Sequence, residues 1–151
     1  MIIIQDTREQ NPFDFSFYDC DISIATLKTG DYTIEGYEEI VCIERKKSAA
    51  ELATNLGKHR ERFENELERM RSFKYRYIVC EFSEDNLRKF PYNAKIPNRI
   101  KKYIRMKGKY MRKKLYEYEE EYDVEIIFCE DKTEAETKVM DIFKQVVEEN
   151  G

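Results

Sequence analysis

Apolar positions along the chain follow two different spacings. Ile2, Ile3 and Ile4 form a short continuous run, and Ile22, Ile24 and Thr26 alternate with polar or small residues, which predicts two strands. Thr29-Gly30 predicts a turn into Asp31-Tyr32-Thr33-Ile34, and Glu35-Gly36 a hairpin loop. Ile40 to Ile43 is a further apolar run, which the chain leaves at Glu44-Arg45-Lys46. The spacing then lengthens. Leu52, Leu56, Phe63, Leu67 and Met70 share one helical face, predicting a long helix from a Ser48 cap to Met70. Tyr75 to Phe82 reads as a strand. Pro97 suits the first turn of a second helix, with Ile100, Ile104, Met111, Leu115 and Tyr118 along one side and Gly108 as a point of division. Val124 to Phe128 predicts another strand. Thr133 opens a last helix with Ala135, Val139, Ile142, Phe143 and Val146 inward. Strands first, then alternating helix and strand, predict an α/β architecture: a central mixed sheet flanked by helices on both faces. No linker or repeat interrupts the pattern, so one domain over residues 1–151 is expected.

Bulk composition narrows the class. Hydrophobic residues make up 41% and charged residues 38% of the 151, as in a globular protein with a heavily charged surface. Cys20, Cys42, Cys80 and Cys129 form no Cys-x-x-Cys pair, so neither a zinc knuckle nor a compact disulfide framework is expected. Cys42, Cys80 and Cys129, each in an apolar run, read as reduced core residues of a cytoplasmic protein. No apolar run approaches a membrane span, and no signal peptide is expected.

The net charge of −4 hides a sharp asymmetry. Between Asn86 and Tyr116 lie 12 of the 27 basic residues and no acid, leaving 15 basic against 31 acidic residues elsewhere. Phe90, Tyr92, Tyr103, Tyr110 and Tyr116 are interleaved with those cations, a composition suited to phosphate contacts and base stacking. Lys101, Lys102, Arg105 and Lys109 are the expected DNA contacts there. A solvated helix face is the alternative.

The chemistry centres on Asp31 and the triplet Glu44-Arg45-Lys46. If the two strands pair as a hairpin, Asp31 begins one and Glu44 ends its neighbour, so both carboxylates reach the same sheet edge. Glu44 and Lys46 are two apart and point to the same side. Two hard oxygen ligands suit Mg²⁺ or Mn²⁺, and a lysine steadies charge developing on a phosphate. A polar strand end beside an ordinary turn would look similar. His59 falls on the Leu52-Leu56-Phe63 face and reads as a partly buried structural histidine.

Taken in order, Asp6-Thr7-Arg8-Glu9, Gly30-Asp31-Tyr32, Glu44-Arg45-Lys46, Arg62-Phe63 and the strand ending at Cys80-Glu81 resemble the XPF/Hef-type nuclease family. That family lies within the PD-(D/E)XK, restriction-endonuclease-like superfamily. The resemblance covers most of the chain and is densest over residues 1–82. It implies a restriction-endonuclease-like fold and a metal-dependent DNA endonuclease. Asp31 and Glu44 would be metal ligands, Arg45 a contributor through its backbone carbonyl, and Lys46 the catalytic lysine. Asp6 and Glu9 would border the site for a second metal, and Arg8 and Arg62 would contact DNA. The family pattern places Asp after Glu-Arg-Lys and three further residues; here that position is Ala50, with Glu51 one residue later.

The resemblance further implies a structure-selective activity on flap, fork or junction DNA in repair, recombination or phage DNA processing. A homodimer is expected, and a separate protein partner would supply further selectivity for DNA structure. A stand-alone form of this size resembles a microbial or phage protein. The competing readings are a catalytically silent DNA-binding scaffold or partner subunit, and a related nuclease acting on RNA or as a restriction enzyme.

Overall fold

The computed structural model describes residues 1–151. Six strands form one mixed sheet: β1 (Ile2–Asp6), β2 (Asp21–Ala25), β3 (Tyr32–Ile34), β4 (Val41–Lys46), β5 (Tyr75–Cys80) and β6 (Glu125–Phe128), in spatial order β2-β1-β3-β4-β5-β6. β3 runs antiparallel to β1 and to β4, whereas the pairs β1–β2, β4–β5 and β5–β6 are parallel. Parallel neighbours need long crossovers. The first uses residues 7–20, which bury Phe13 and Phe15. The second carries α1 (Ala49–Leu56) and α2 (Arg60–Met70). The third carries α3 (Glu84–Arg88), α4 (Asn98–Lys101) and α5 (Gly108–Tyr122), and α6 (Lys132–Asn150) closes the fold.

Side chains alternate across the sheet, so each face has its own core. On one face Cys42, Ile78 and Cys80 pack with Leu52, Leu56, Phe63, Leu67, Met70, Met111, Leu115 and Tyr118 from α1, α2 and α5. On the other, Ile3, Tyr32, Val41, Ile43 and Val79 pack with Phe13, Phe15 and the α6 residues Val139, Ile142, Phe143 and Val146. Glu136 on α6 also accepts the N–H of Phe15 at 2.7 Å, tying the first crossover to that helix. Cys42, Cys80 and Cys129 are buried free thiols, as their apolar neighbours indicate, while Cys20 is half-buried. No helix is long and apolar enough to cross a membrane.

The structure departs from expectation in four places. The apolar stripe from Leu52 to Met70 is continuous, but the helix is not: α1 ends at a Gly57 cap and α2 starts after His59, which is half-buried at that junction. The Pro97 helix is only the short α4; Ile100 is 42% exposed rather than inward, and α5 begins afresh at Gly108. Gly108 is required there because a Cβ would stand 2.0 Å from the Leu87 carbonyl oxygen. α3, capped by Ser83, was not expected. β2 lies at the sheet edge with Ile22 and Ile24 exposed, so its alternation does not mark a core face.

Candidate active site

The hairpin places the chemistry. Gly30 turns the chain at φ +83°, where a Cβ would lie 2.6 Å from Cys42 Sγ, so only glycine fits this approach to β4. The next residue, Asp31, is then fixed through its backbone: its N–H donates to the Ile43 carbonyl at 2.7 Å and its carbonyl accepts the Asp6 N–H at 2.9 Å. Asp31 Oδ2 accepts the Arg45 N–H at 2.8 Å.

Alternation along β4 divides the Glu-Arg-Lys triplet between the two faces. Glu44 and Lys46 project toward α2, where their side chains pair at 3.2 Å and Lys46 Nζ stands 4.9 Å from the Phe63 ring centre. Arg45 projects the opposite way. Its guanidinium, shielded from solvent, donates to Glu9 at 3.0 Å and Glu81 at 2.7 Å and lies over the Phe13 ring. Arg45 thus fastens the ends of β4 and β5 to the segment after β1.

A hollow of about 250 Å³ opens between this edge and α2, lined by polar and charged residues and glycine alone. Asp31, Glu44 and Glu66 present carboxylates to it, Asp6 adds a fourth at the margin, and Arg8, Lys28, Arg62 and Arg69 supply cations. Glu66, on α2, reaches the Glu44 carboxyl and accepts the Gly30 N–H at 3.4 Å. Lys46 stands behind Glu44 rather than in the wall.

Crowding of acids shapes the electrostatics. Burial, followed by repulsion from Asp31, pushes Glu44 well above the usual carboxylate range. Burial likewise raises Asp31 to about 7, against the lowering effect of the Arg45 N–H. Lys46 is held above its ordinary value, because Glu44 and Glu66 outweigh the effect of its burial. For Asp6 burial acts upward, but the Arg8 side chain and the Leu27 and Arg8 N–H groups prevail and hold its carboxyl low.

The expected site residues therefore separate. Asp31, Glu44, Asp6, Arg8 and Arg62 meet at the hollow, with Lys46 immediately behind. Asp6 lies at the margin with both oxygens already accepting, from the Arg8 side chain and the Leu27 N–H among others. Glu9 lies away from the hollow, against Arg45 and Lys47. Glu51 secures the start of α1: its N–H donates to Ser48 Oγ at 3.1 Å and its carboxylate accepts the Lys47 N–H at 3.2 Å. Neither Ala50 nor Glu51 lines the hollow. Lys101, Lys102, Arg105 and Lys109 lie on a separate surface carried by α4, α5 and the link between them. Sequence reasoning missed Glu66, Lys28 and Arg69. The only trace of Glu66 was its place one helical turn beyond Arg62.

No group of three or more His, Cys, Asp or Glu side chains forms a complete metal cage. The donors nonetheless fit a hard divalent ion. Mg²⁺ retains several waters and takes one or two protein carboxylates. Asp31 and Glu44 are two buried carboxyls whose ionised forms lack full compensation, facing a polar hollow.

Solved structures share this architecture. XPF from Aeropyrum pernix superposes with a TM-score of 0.71, and the same protein described as a complex with DNA with 0.70. Each is 14% identical in sequence, and each match covers 97% of this chain and 65% of the other. The chain thus spans a little under two thirds of the length of those proteins. Its fold is restriction-endonuclease-like, that of an XPF-type nuclease domain. Residues 5–139 match the ERCC4 domain, and the chain belongs to the ERCC4 domain family. No curated protein sequence matches it.

Proposed function

We propose that this protein is a Mg²⁺- or Mn²⁺-dependent DNA endonuclease, selective for flap, fork or junction DNA, with residues 1–151 acting as one nuclease domain. The observation that carries this reading is the convergence of Asp31 and Glu44 on one polar hollow, with the Lys46 ammonium 3.2 Å from Glu44. Asp31 and Glu44 would hold the ion, which polarises the phosphate and activates a bound water. Lys46 stays protonated and supplies positive charge beside the carboxylates as the phosphate gains charge. Arg8 and Arg62 orient the DNA backbone, and Arg45 keeps the β4 end in place. A second copy of the chain, pairing as a homodimer, and a separate protein partner would add selectivity for DNA structure. Repair, recombination or phage DNA processing is the setting such an activity serves.

The decisive experiment is cleavage of labelled single-stranded, duplex, flap, fork and four-way-junction DNA, with and without Mg²⁺. Wild type should cut branched substrates only with metal. Asp31→Asn and Glu44→Gln should each bind DNA and cut none of them, because an amide is a poor ligand for a hard cation. Metal-independent cutting, or near wild-type rates in either variant, overturns the assignment. A wild type that binds DNA and never cuts is the silent scaffold instead. Light scattering that finds only an 18.3 kDa species at high concentration removes the homodimer.

A further inference from the structure

Four cations beside the hollow have no acidic partner. Lys28 follows β2, Lys58 precedes α2, and Arg62 and Arg69 project from α2. That helix is rich in acids, and two neighbouring arginines use them: Arg60 pairs with Glu64 at 3.0 Å and Arg71 with Glu68 at 3.4 Å. Arg69 instead donates Nε to the Thr29 hydroxyl at 3.1 Å, and Lys28, Lys58 and Arg62 form no ion pair. Arg62, Asn65 and Arg69 recur at intervals that make one helical stripe, on a different face from the buried Phe63, Leu67 and Met70. Lys58 and His59 extend the stripe across the junction between α1 and α2, and all five, together with Glu61, border a shallow depression of about 420 Å³. Arg62 and Arg69 line both this depression and the hollow. A continuous cationic row therefore leads from the carboxylates out over α2.

The acid-free segment 86–116 looks more basic in sequence, yet much of its charge is already engaged. Arg88 and Arg112 pair with Glu84, Lys89 with Asp85, and Lys114 with Glu117. Lys101 Nζ donates to the Tyr92 carbonyl at 2.8 Å, and Lys102 and Lys107 lie over tyrosine rings. A phosphate arriving at those seven cations competes with internal partners, and only Lys95, Arg99, Arg105, Lys109 and Lys113 have none. Of the four cations beside the hollow, Arg69 alone has such a partner, the Thr29 hydroxyl.

We propose that Lys28, Lys58, Arg62 and Arg69, with Asn65, form the track along which the phosphodiester backbone of DNA leaves the catalytic hollow. This rests on the nuclease reading, and it assigns the main backbone contacts to α2 rather than to the longer basic segment. Arginine forks take phosphate oxygens two at a time, and unpaired cations bind them without first breaking a salt bridge.

The test is DNA binding in EDTA, where no cleavage occurs, using labelled duplex and single-stranded DNA over a range of salt. Each phosphate contact contributes about 0.9 to the duplex slope of log affinity against log salt. The triple variant Lys28→Ser, Lys58→Ser, Arg69→Ser should flatten that slope by roughly 2–3 and weaken binding at least about tenfold near 0.1 M salt. The quadruple variant Lys101→Ser, Lys102→Ser, Arg105→Ser, Lys109→Ser should lose less. The triple variant should keep the rise in melting temperature that Mn²⁺ gives wild type, since Asp31 and Glu44 are intact. If it melts early, Arg69→Glu alone, at an exposed position, should produce the same direction of change. An unchanged slope in the α2 variants, or a larger loss in the quadruple variant, overturns the track. Wild type that binds no DNA overturns it too. Wild type that binds through α2 and never cuts supports the track while refuting the nuclease reading.

Discussion

Asp31→Asn should make the metal-free protein more stable even as it ends cleavage. Burial raises the Asp31 carboxyl from 3.8 to about 7. Between those values the folded protein keeps a proton that the unfolded chain has released. Stability therefore falls as pH rises through that interval, and the loss is complete above about 7. A shift of about three units corresponds to roughly 4 kcal/mol, and solvent at the open side of the hollow reduces this to about 2 kcal/mol. Asparagine keeps a carbonyl able to accept the Arg45 N–H and carries no charge. At about pH 8 in EDTA, urea unfolding should show the variant more stable by about 1–3 kcal/mol, and its melting point should rise by about 2–4 °C for each kcal/mol. Near pH 5 most of the advantage should disappear, because wild-type Asp31 is then protonated. Added Mn²⁺ should reverse the order by binding wild type alone. A variant less stable than wild type at pH 8, or equally favoured at both pH values, would refute the reasoning.

Lys46→Ala should lose cleavage and still bind Mn²⁺ by calorimetry; loss of the Mn²⁺ heat would give the lysine a structural role. Arg45→Met removes the cation shared by Glu9 and Glu81 and should cost about 3–5 kcal/mol in urea unfolding, as for a broken buried pair. A cost below about 1 kcal/mol would show those carboxylates to be well solvated without it. Gly108→Ala should lower stability by about 1–3 kcal/mol, because the new methyl collides with the Leu87 carbonyl rather than with a flexible side chain. An unchanged melting curve would mean that α3 gives way.

The edge where Asp31 and Glu44 meet was legible in the sequence because its determinants are local. Gly30-Asp31 marks the turn, and the two-residue period of a strand puts Glu44 and Lys46 on one side. The helix break at Gly57 was not, because the apolar stripe runs on through Leu56 and Phe63 as though nothing intervened. Nor was the parallel pairing of β1 with β2, which depends on Phe13 and Phe15 docking against α6, far away in the chain. Glu66 stayed hidden among Glu61, Glu64 and Glu68, since only the packing of α2 decides which carboxylate meets Glu44. The ion pairs of Arg88, Lys89, Arg112 and Lys114 in the basic segment were hidden for a related reason: their acidic partners Glu84, Asp85 and Glu117 lie just outside its ends.

Every residue lining the hollow lies between Asp6 and Arg69, yet the strands beneath it are braced from the far side by α6, through Tyr32, Val41 and Ile43 against Val139, Phe143 and Val146. On a ribosome the reactive groups emerge first and their brace more than sixty residues later. Until α6 docks, that face of the sheet lacks most of its apolar cover. Chain order thus delivers the lining of the hollow well before the helix that braces the sheet beneath it.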